Sequence, residues 1–469
     1  MGPMHIATLR NWLAQAPRTQ HIYLVGGTVR DLLLHCKPKD LDLVCRNAKE
    51  FAFAVTRDKN TAVIPMEKGQ HRPCYRLVDR EDHTIVLDIT EMRGGTIYDD
   101  LSQRDFTINA IAIEVEEGGS LGALIDPFHG TEDAKKRIIR MTNDHVFTSD
   151  PLRILRVFRF SAELGFTIEP LTREEMGKNT GLLKGVSAER IVAELLRILK
   201  TPRAAVTFKD MDTLGIIEIL FPEMKPMKGL FAGGFIRKSL WEHSLLSMEY
   251  CERIINNLTG YFEPWDGEIA LHLEQDTRLP LLKLAALLHD IGKPFTKSLD
   301  YAQKWGDFPR QNGHGAGIIN AISERMKLSN HDRKLLVLLA EEQPNVQRLM
   351  HEDGQKADKI RWFRKMGEQA VAILILGIAD VIASGEDEPA EKGREGCLMH
   401  LKGLVREYYS ALKKKLGNRN LITGSDMIGL GMVPGPELGR ILELVRDAQD
   451  AGEITTYEEA AEMARKLIS

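Results

Sequence analysis

A chain of 469 residues is too long for one ordinary hydrophobic core, so about two to four domains are expected. Apolar residues at 43% and charged residues at 28% give a soluble globular balance. The formal net charge of -4 excludes a chain that is basic throughout, but it leaves room for one local basic face. Five scattered cysteines (Cys36, Cys45, Cys74, Cys251 and Cys397) lack metal-ligand spacing, and their odd number points to free thiols in a reducing cytoplasm. No apolar run approaches the roughly 20 residues that cross a bilayer, so no membrane partner is expected and the cytoplasm is the expected location.

Residues 1–17 read as an amphipathic helix rather than a signal peptide, and Gly2 after Met1 is weak evidence for myristoylation. His21 to Val25 is a strand candidate stopped by Gly26-Gly27. Val29 to Leu34 follows as a short helix, and Asp40 to Val44 alternates with period two like a strand. Thr84 to Thr90 is a further β-like run and carries Asp88. From Asp150 the pattern turns helical. Pro151 to Phe160 begins with a proline suited to a helix start, and Ala188 to Leu199 is a second helix. Residues 240–382 read as helices and loops, including Leu281 to Leu288 and Ala370 to Ile382. Ser384 to Gly396, rich in Glu, Gly, Lys and Pro, reads as an exposed linker, and further helices are expected near Pro436 and from Tyr457. No repeat of fixed period is present. The outline is an α+β N-terminal domain followed by a long helical body.

Two glycines between a strand and a helix let backbone approach phosphates, and the helix N-terminus supplies unsatisfied N–H donors. Asp40 and Asp42, two apart on an expected strand, point to one face. Two such carboxylates repel unless a cation joins them, and Mg²⁺ suits hard oxygen ligands that also meet phosphate oxygens. Asp88 on another strand is a candidate third carboxylate. A Gly-Gly turn or an Asp-x-Asp strand end taken alone is more often structural.

The motifs Gly26-Gly27-x-Val29-Arg30-Asp31, Asp40-Leu41-Asp42, Asp88-Ile89-Thr90-x-x-Arg93 and Arg104-Asp105-Phe106-Thr107-Ile108-Asn109-Ala110 occur in collinear order. They continue through Asp126-Pro127-x-x-Gly130-x-x-Asp133, Asp150-Pro151-Leu152-Arg153-x-Leu155-Arg156-x-x-Arg159-Phe160 and Ser187-Ala188-Glu189-Arg190-Ile191. Over roughly residues 20–200 this resembles the class II tRNA nucleotidyltransferase and bacterial poly(A) polymerase family of the polymerase β-like superfamily. The resemblance implies a nucleotidyltransferase head with a catalytic sheet, followed by a mostly helical neck, body and tail. The expected segments are a head at 1–145, a neck with the base-recognition region at 146–225, an HD-like domain at 226–395 and a tail at 396–469.

The resemblance assigns Asp40, Asp42 and Asp88 to Mg²⁺ and catalysis. It places Gly26, Gly27, Arg30, Arg104, Asp105 and Asn109 around the triphosphate and sugar, with Asp150 and Arg153 as readers of the incoming base and Arg156 and Arg159 beside them. At i, i+3 on one helix Asp150 and Arg153 would share a face and offer acceptors and a donor fork. The alternative reading is a proline-started helix that Asp150 caps. Ser149 stands where many relatives carry a glutamate and supplies no negative charge to restrain a nearby arginine. Lys135, Lys136, Arg137 and Arg140, then Arg153, Arg156 and Arg159 at helical spacing, followed by Lys184, Arg190, Arg197, Lys200 and Arg203, are candidates for salt-sensitive phosphate contacts or simply solvated faces.

His243, His289-Asp290, His314 and Asp380 resemble the HD phosphohydrolase pattern, especially in Leu287-Leu288-His289-Asp290-Ile291-Gly292-Lys293-Pro294. This mixed N/O donor set suits a second divalent metal such as Mn²⁺, Mg²⁺ or Ni²⁺. The unit is expected either to hydrolyse phosphate esters or to serve as a structural body. Leu421 to Asp426 and Gly429 to Gly439 resemble a tail segment of such relatives.

The expected reaction is Mg²⁺-dependent transfer of CMP from CTP to a tRNA 3′ hydroxyl with pyrophosphate release. The alternatives are a full CCA-adding enzyme, an A-adding enzyme, a poly(A) polymerase using ATP, an HD-type phosphohydrolase or an inactive RNA-binding protein. Only ten residues, Gly94 to Gln103, separate Arg93 from Arg104. Full CCA-adding relatives usually carry a longer flexible loop here, so the short connection resembles CC-adding members. A short connection also has less reach to reorganise a pocket when specificity must change from C to A.

Overall fold

The computed structural model describes residues 21–38, 40–57, 60–68, 72–81, 86–116, 119–233, 236–296, 314–349, 356–384 and 391–468. The helix expected in residues 1–17 lies outside them. The chain divides into two compact units, one of Met1–Glu194 with Leu214–Ile219 and the other of Leu195–Thr213 with Leu220–Ser469.

The first unit is built on seven strands: β1 (Ile22–Val25), β2 (Leu41–Cys45), β3 (Thr61–Lys68), β4 (Arg72–Asp79), β5 (Val86–Glu91), β6 (Ala112–Val115) and β7 (Leu121–Ile125). Their order in the sheet is β3-β4-β5-β2-β1-β6-β7, and only the β2–β5 pairing is parallel. Alternation explains the central strands. Leu41, Leu43 and Cys45 join Ile22, Leu24, Leu87 and Ile89 in a core covered by Phe51, Ala52 and Val55 of the helix Ala48–Thr56. On the opposite face Tyr23, Val25 and Val44 pack with Ile97, Leu101 and Ala110.

The second unit is helical. The helix Ala370–Ser384 runs through its centre, packed by Leu240–Asn256, Asn330–Leu349 and Glu391–Glu407. The stretch Asp358–Ser384 is long and apolar enough to span a bilayer, but 72% of its most apolar window is buried, as in a core helix. Buried Lys283, on the helix Arg278–Leu288, donates to Glu252 on Leu240–Asn256 (3.0 Å) and to the Thr201 carbonyl (2.6 Å), which fixes two of these helices together. A small C-terminal core of Ile422, Met427, Ile441, Val445, Ile454 and Ala464 is tied to this unit by Arg361 and Arg364, which pair with Asp447 and Asp450.

Several boundaries differ from the sequence expectation. The helix after β1 is Gly27–Leu33, starting as soon as Gly26 turns the chain. The Asp88 strand is Val86–Glu91, and residues 82–85 lie outside the described set. The expected linker at 384–396 is helical from Glu391 onward, with residues 385–390 outside the described set. In this helix Glu395 and Gly396 are exposed, and Leu401, Leu404 and Val405 are buried at helical spacing.

Candidate active site

The site begins where β1 meets the helix Gly27–Leu33. Gly26 sits at φ +65°, a conformation that favours glycine, and a Cβ there would lie 2.8 Å from the tip of Arg104 at Nη1, which would have to shift. Buried Thr28 ties this turn to the acidic motif: its hydroxyl accepts from the Asp42 N–H at 2.7 Å and donates to the Asp40 carbonyl at 3.1 Å. Asp40 immediately precedes β2 and Asp42 lies within it. Asp42 is the direct partner of Asp88 across the parallel β2–β5 pair, which places those two side chains on one face.

Arg76 of β4 faces Asp88 from the other side. Its Nε and Nη2 donate to the two Asp88 carboxylate oxygens at 2.8 and 2.9 Å, and Nη2 lies 3.7 Å from Asp40 Oδ2. The three acidic residues are therefore gathered as expected, but Asp88 has a cationic partner that the sequence reading did not identify.

The Gly-Gly turn is bordered by arginines held in place by carboxylates. Arg104 donates to Asp100 Oδ2 through Nε (3.0 Å) and Nη2 (2.8 Å), and Arg72 Nη2 donates to Asp100 Oδ1 (2.6 Å). Burial pushes the Arg72 guanidinium down to about 10, so it remains charged at neutral pH. Arg30 donates to Asp31 and, at 2.9 Å, to Asn109 Oδ1, while Asn109 donates to Asp105 at 3.0 Å. Asp105 accepts from Arg156 at 2.9 and 2.6 Å. Burial works against ionisation of Asp105, but Arg156, Asn109 and Arg153 outweigh it and hold the carboxyl well below the usual range. Phe160 lies beneath the guanidiniums of Arg30, Arg156 and Arg159. The segment Arg104–Asn109 is braced from behind. A Cβ at Gly130 would come 2.0 Å from the Thr107 carbonyl, and Thr107 donates to Asp133 at 2.7 Å, so Gly130 and Asp133 do structural work.

The neck residues are arranged differently from the expected helical pair. The helix starts at Arg153, and Asp150 is extended at φ -151°, so the two are not an i, i+3 pair on one helix. Asp150 accepts from Arg190 at 2.8 Å and from the Leu152 N–H at 3.3 Å. Arg153 donates to the Gln103 carbonyl at 2.9 Å and to Ser149 Oγ at 3.2 Å, so Ser149 does restrain the arginine, through its hydroxyl. Arg159 does not face the site. It is 3% exposed and lies against Glu194, with Nε 3.3 Å from Oε2. Arg140 is engaged with Asp133 and Glu169, whereas Lys135, Lys136 and Arg137 are exposed. Thr28, Arg76 and Asp100 were missed by sequence reasoning. Thr28 sits at the unassigned position of Gly-Gly-x-Val, which was the one available signal.

In the second unit His243, His289 and Asp380 converge, with ligand atoms within 4.8 Å of one another. His243 Nε2 lies 2.9 Å and His289 Nε2 3.3 Å from Asp380 Oδ1, while Asp290 Oδ1 is 3.6 Å from His289 Nε2. Gln343 donates to the other Asp380 oxygen at 2.7 Å, and Lys293 pairs with Asp290 at 2.6 Å. Burial pulls the His289 imidazole down, but Asp290, Asp380 and the Ala286 carbonyl prevail and raise it to about 9. Two imidazoles and buried carboxylates in this arrangement fit a divalent cation. His314 begins the helix His314–Arg325, and its side chain lies outside the described set.

Three domain families match in order. The Poly A polymerase head domain covers residues 22–140, the probable RNA and SrmB-binding site of polymerase A covers 165–228, and the HD domain covers 240–385. The A-adding tRNA nucleotidyltransferase of Deinococcus radiodurans is 30% identical over 448 residues, 93% of each chain. The CC-adding tRNA nucleotidyltransferase of Thermus thermophilus is 30% identical over 445 residues, 93% of this chain and 91% of the relative. In fold, the chain is similar to a CCA-adding enzyme solved with CTP (TM-score 0.67, 22% identity, 100% and 96% coverage). It is also similar to a Thermotoga maritima CCA-adding enzyme solved with tRNA (TM-score 0.59, 23% identity, 100% and 97% coverage). With this head fold, a helical body carrying an HD domain and full-length similarity to such relatives, the chain is an enzyme of the tRNA nucleotidyltransferase family.

Proposed function

We propose that this enzyme transfers CMP from CTP to the 3′ hydroxyl of tRNA, adds two C residues and stops before the terminal A. The observation that carries the stop is the connection from Arg93 to Arg104. The helix Ile97–Ser102 within it is closed by a reciprocal Thr96–Asp99 cap. Asp100, fully buried, is clamped by Arg72, Arg104 and the Arg93 N–H. A connection fastened at this many points is poorly suited to the closure that would refit a pocket from cytosine to adenine. The similar relatives include both A-adding and CC-adding enzymes, so likeness does not choose between them. A tRNA ending before CCA should gain two C residues from CTP, while a tRNA already ending in CC should gain little A from ATP; efficient A addition to the second substrate would overturn this reading.

Mg²⁺ would be held by Asp40 and Asp42, and it would supply positive charge to the triphosphate and the attacking hydroxyl. Gly26 and Gly27 bring backbone N–H groups to the phosphates, while Arg30 and Arg104 add fixed positive charge and Asp105 with Asn109 borders the sugar. Free thiols at all five cysteines support action in the cytoplasm. The four-part division at 1–145, 146–225, 226–395 and 396–469 is supported by the limits of the three matching families.

Asp150 and Arg153 read the incoming base in this account, each steered by its own partner, Arg190 for Asp150 and Gln103 with Ser149 for Arg153. Losing such a paired hydrogen bond costs about 1–3 kcal/mol. Asp150→Ala and Arg153→Ala should therefore lower discrimination among the four triphosphates more than they weaken Mg²⁺ binding. Wild-type discrimination in both variants would remove the base-reading role. The convergence of His243, His289, Asp290 and Asp380 favours a second reading for the helical unit, a divalent-metal site that hydrolyses phosphate esters.

A further inference from the structure

We propose that Arg76 is a positioning residue of the head's metal centre: it takes Asp88 as its anchor and sets how tightly Asp40 and Asp42 hold a divalent cation. This rests on the reading of Asp40 and Asp42 as the metal ligands. Three carboxylates gathered at one sheet face repel one another, and the chain itself provides a compensating charge. Arg76, Asp88 and Asp42 are successive direct partners across β4, β5 and β2, so they form a row on one face.

The guanidinium grips both oxygens of Asp88, at 2.8 and 2.9 Å, while the same Nη2 lies 3.7 Å from Asp40 Oδ2. Such a two-pronged pair fixes orientation as well as charge, and a lysine could not reproduce the fork. Asp88 is 1% exposed, but the Arg76 side chain is 33% exposed, so the pair is rooted in the sheet and its charged end reaches the open side. Asp88 in this arrangement serves the arginine first. The fixed positive charge beside Asp40 opposes a bound cation, keeping the metal exchangeable, and holds the acidic cluster in shape when metal is absent.

The test is Mn²⁺ binding to the full chain, followed by electron paramagnetic resonance. The class of sites lost in Asp40→Asn/Asp42→Asn identifies the head centre; if no class is lost, it is the underlying ligand assignment that fails. In Arg76→Ala the head sites should bind Mn²⁺ about threefold to thirtyfold more tightly, since a neighbouring positive charge has gone from a partly screened site. Arg76→Lys, which keeps the charge but loses the fork, should stay nearer wild type. CMP transfer at saturating Mn²⁺ should fall in Arg76→Ala because Asp88 is no longer oriented. Unchanged or weaker Mn²⁺ binding in Arg76→Ala, or in Arg76→Gln should the alanine variant not fold, would overturn the proposal, as would Arg76→Lys binding as tightly as Arg76→Ala.

Discussion

Asp40→Asn and Asp42→Asn, made separately, should each reduce CMP transfer by about 10³-fold or more, the scale on which losing preorganised charge at a reacting centre is felt. Asparagine keeps the size of the side chain and removes its charge, so the packing of β2 is retained. The backbone support is also retained, because Thr28 bonds the Asp40 carbonyl and the Asp42 N–H rather than either carboxylate. Circular dichroism and tRNA affinity should thus stay close to wild type. Transfer within tenfold of wild type in either folded variant, on the rate scale where about 1.4 kcal/mol is tenfold, would remove that residue from the metal centre.

The second large effect belongs to the helical unit. Asp380→Ala should abolish divalent-metal binding at the His243–His289 cluster and any hydrolysis of a chromogenic phosphodiester, while leaving CMP transfer intact. Asp380 is 6% exposed, and it is the group that His243, His289 and Gln343 all address. Without it, the imidazole of His243 and the Gln343 amide lose their buried acceptor, so destabilisation of roughly 3–5 kcal/mol should accompany the loss of metal. Asp380→Asn separates the two consequences, since it keeps an acceptor and removes the charge. Unchanged metal content after equilibrium dialysis of both variants would show that this cluster is not a metal centre.

The sites were legible in the sequence where chemistry lies in short spacing. Gly26-Gly27 marked the strand-to-helix turn, Asp40-x-Asp42 marked a strand that begins one residue later, at Leu41, and His289-Asp290 marked a helix end, because two or three adjacent residues define each local turn. What depended on strand pairing was not legible. Arg76 is one arginine in an ordinary strand, and only the β4–β5 register brings it to Asp88. The Asp150 error came from trusting Pro151 as a helix start. The short helix Val146–Ser149 ends just before, and an Asp150 side-chain bond to the Leu152 N–H turns the chain. Arg153, Arg156 and Arg159 looked like one basic stripe, but successive three-residue steps rotate about 60° around a helix. Arg159 is therefore turned about 120° from Arg153, which carries it into the core beside Glu194.

We propose that this chain builds a tRNA 3′ end in its head rather than acting chiefly through its HD unit. The most direct measurement offers all four nucleoside triphosphates with Mg²⁺ to two RNAs, a tRNA lacking its 3′ CCA and an unstructured oligonucleotide, and sequences the 3′ ends. The tRNA should gain a discrete CC extension and the oligonucleotide almost none. No extension of either RNA, or long adenylate tails on both, would contradict it.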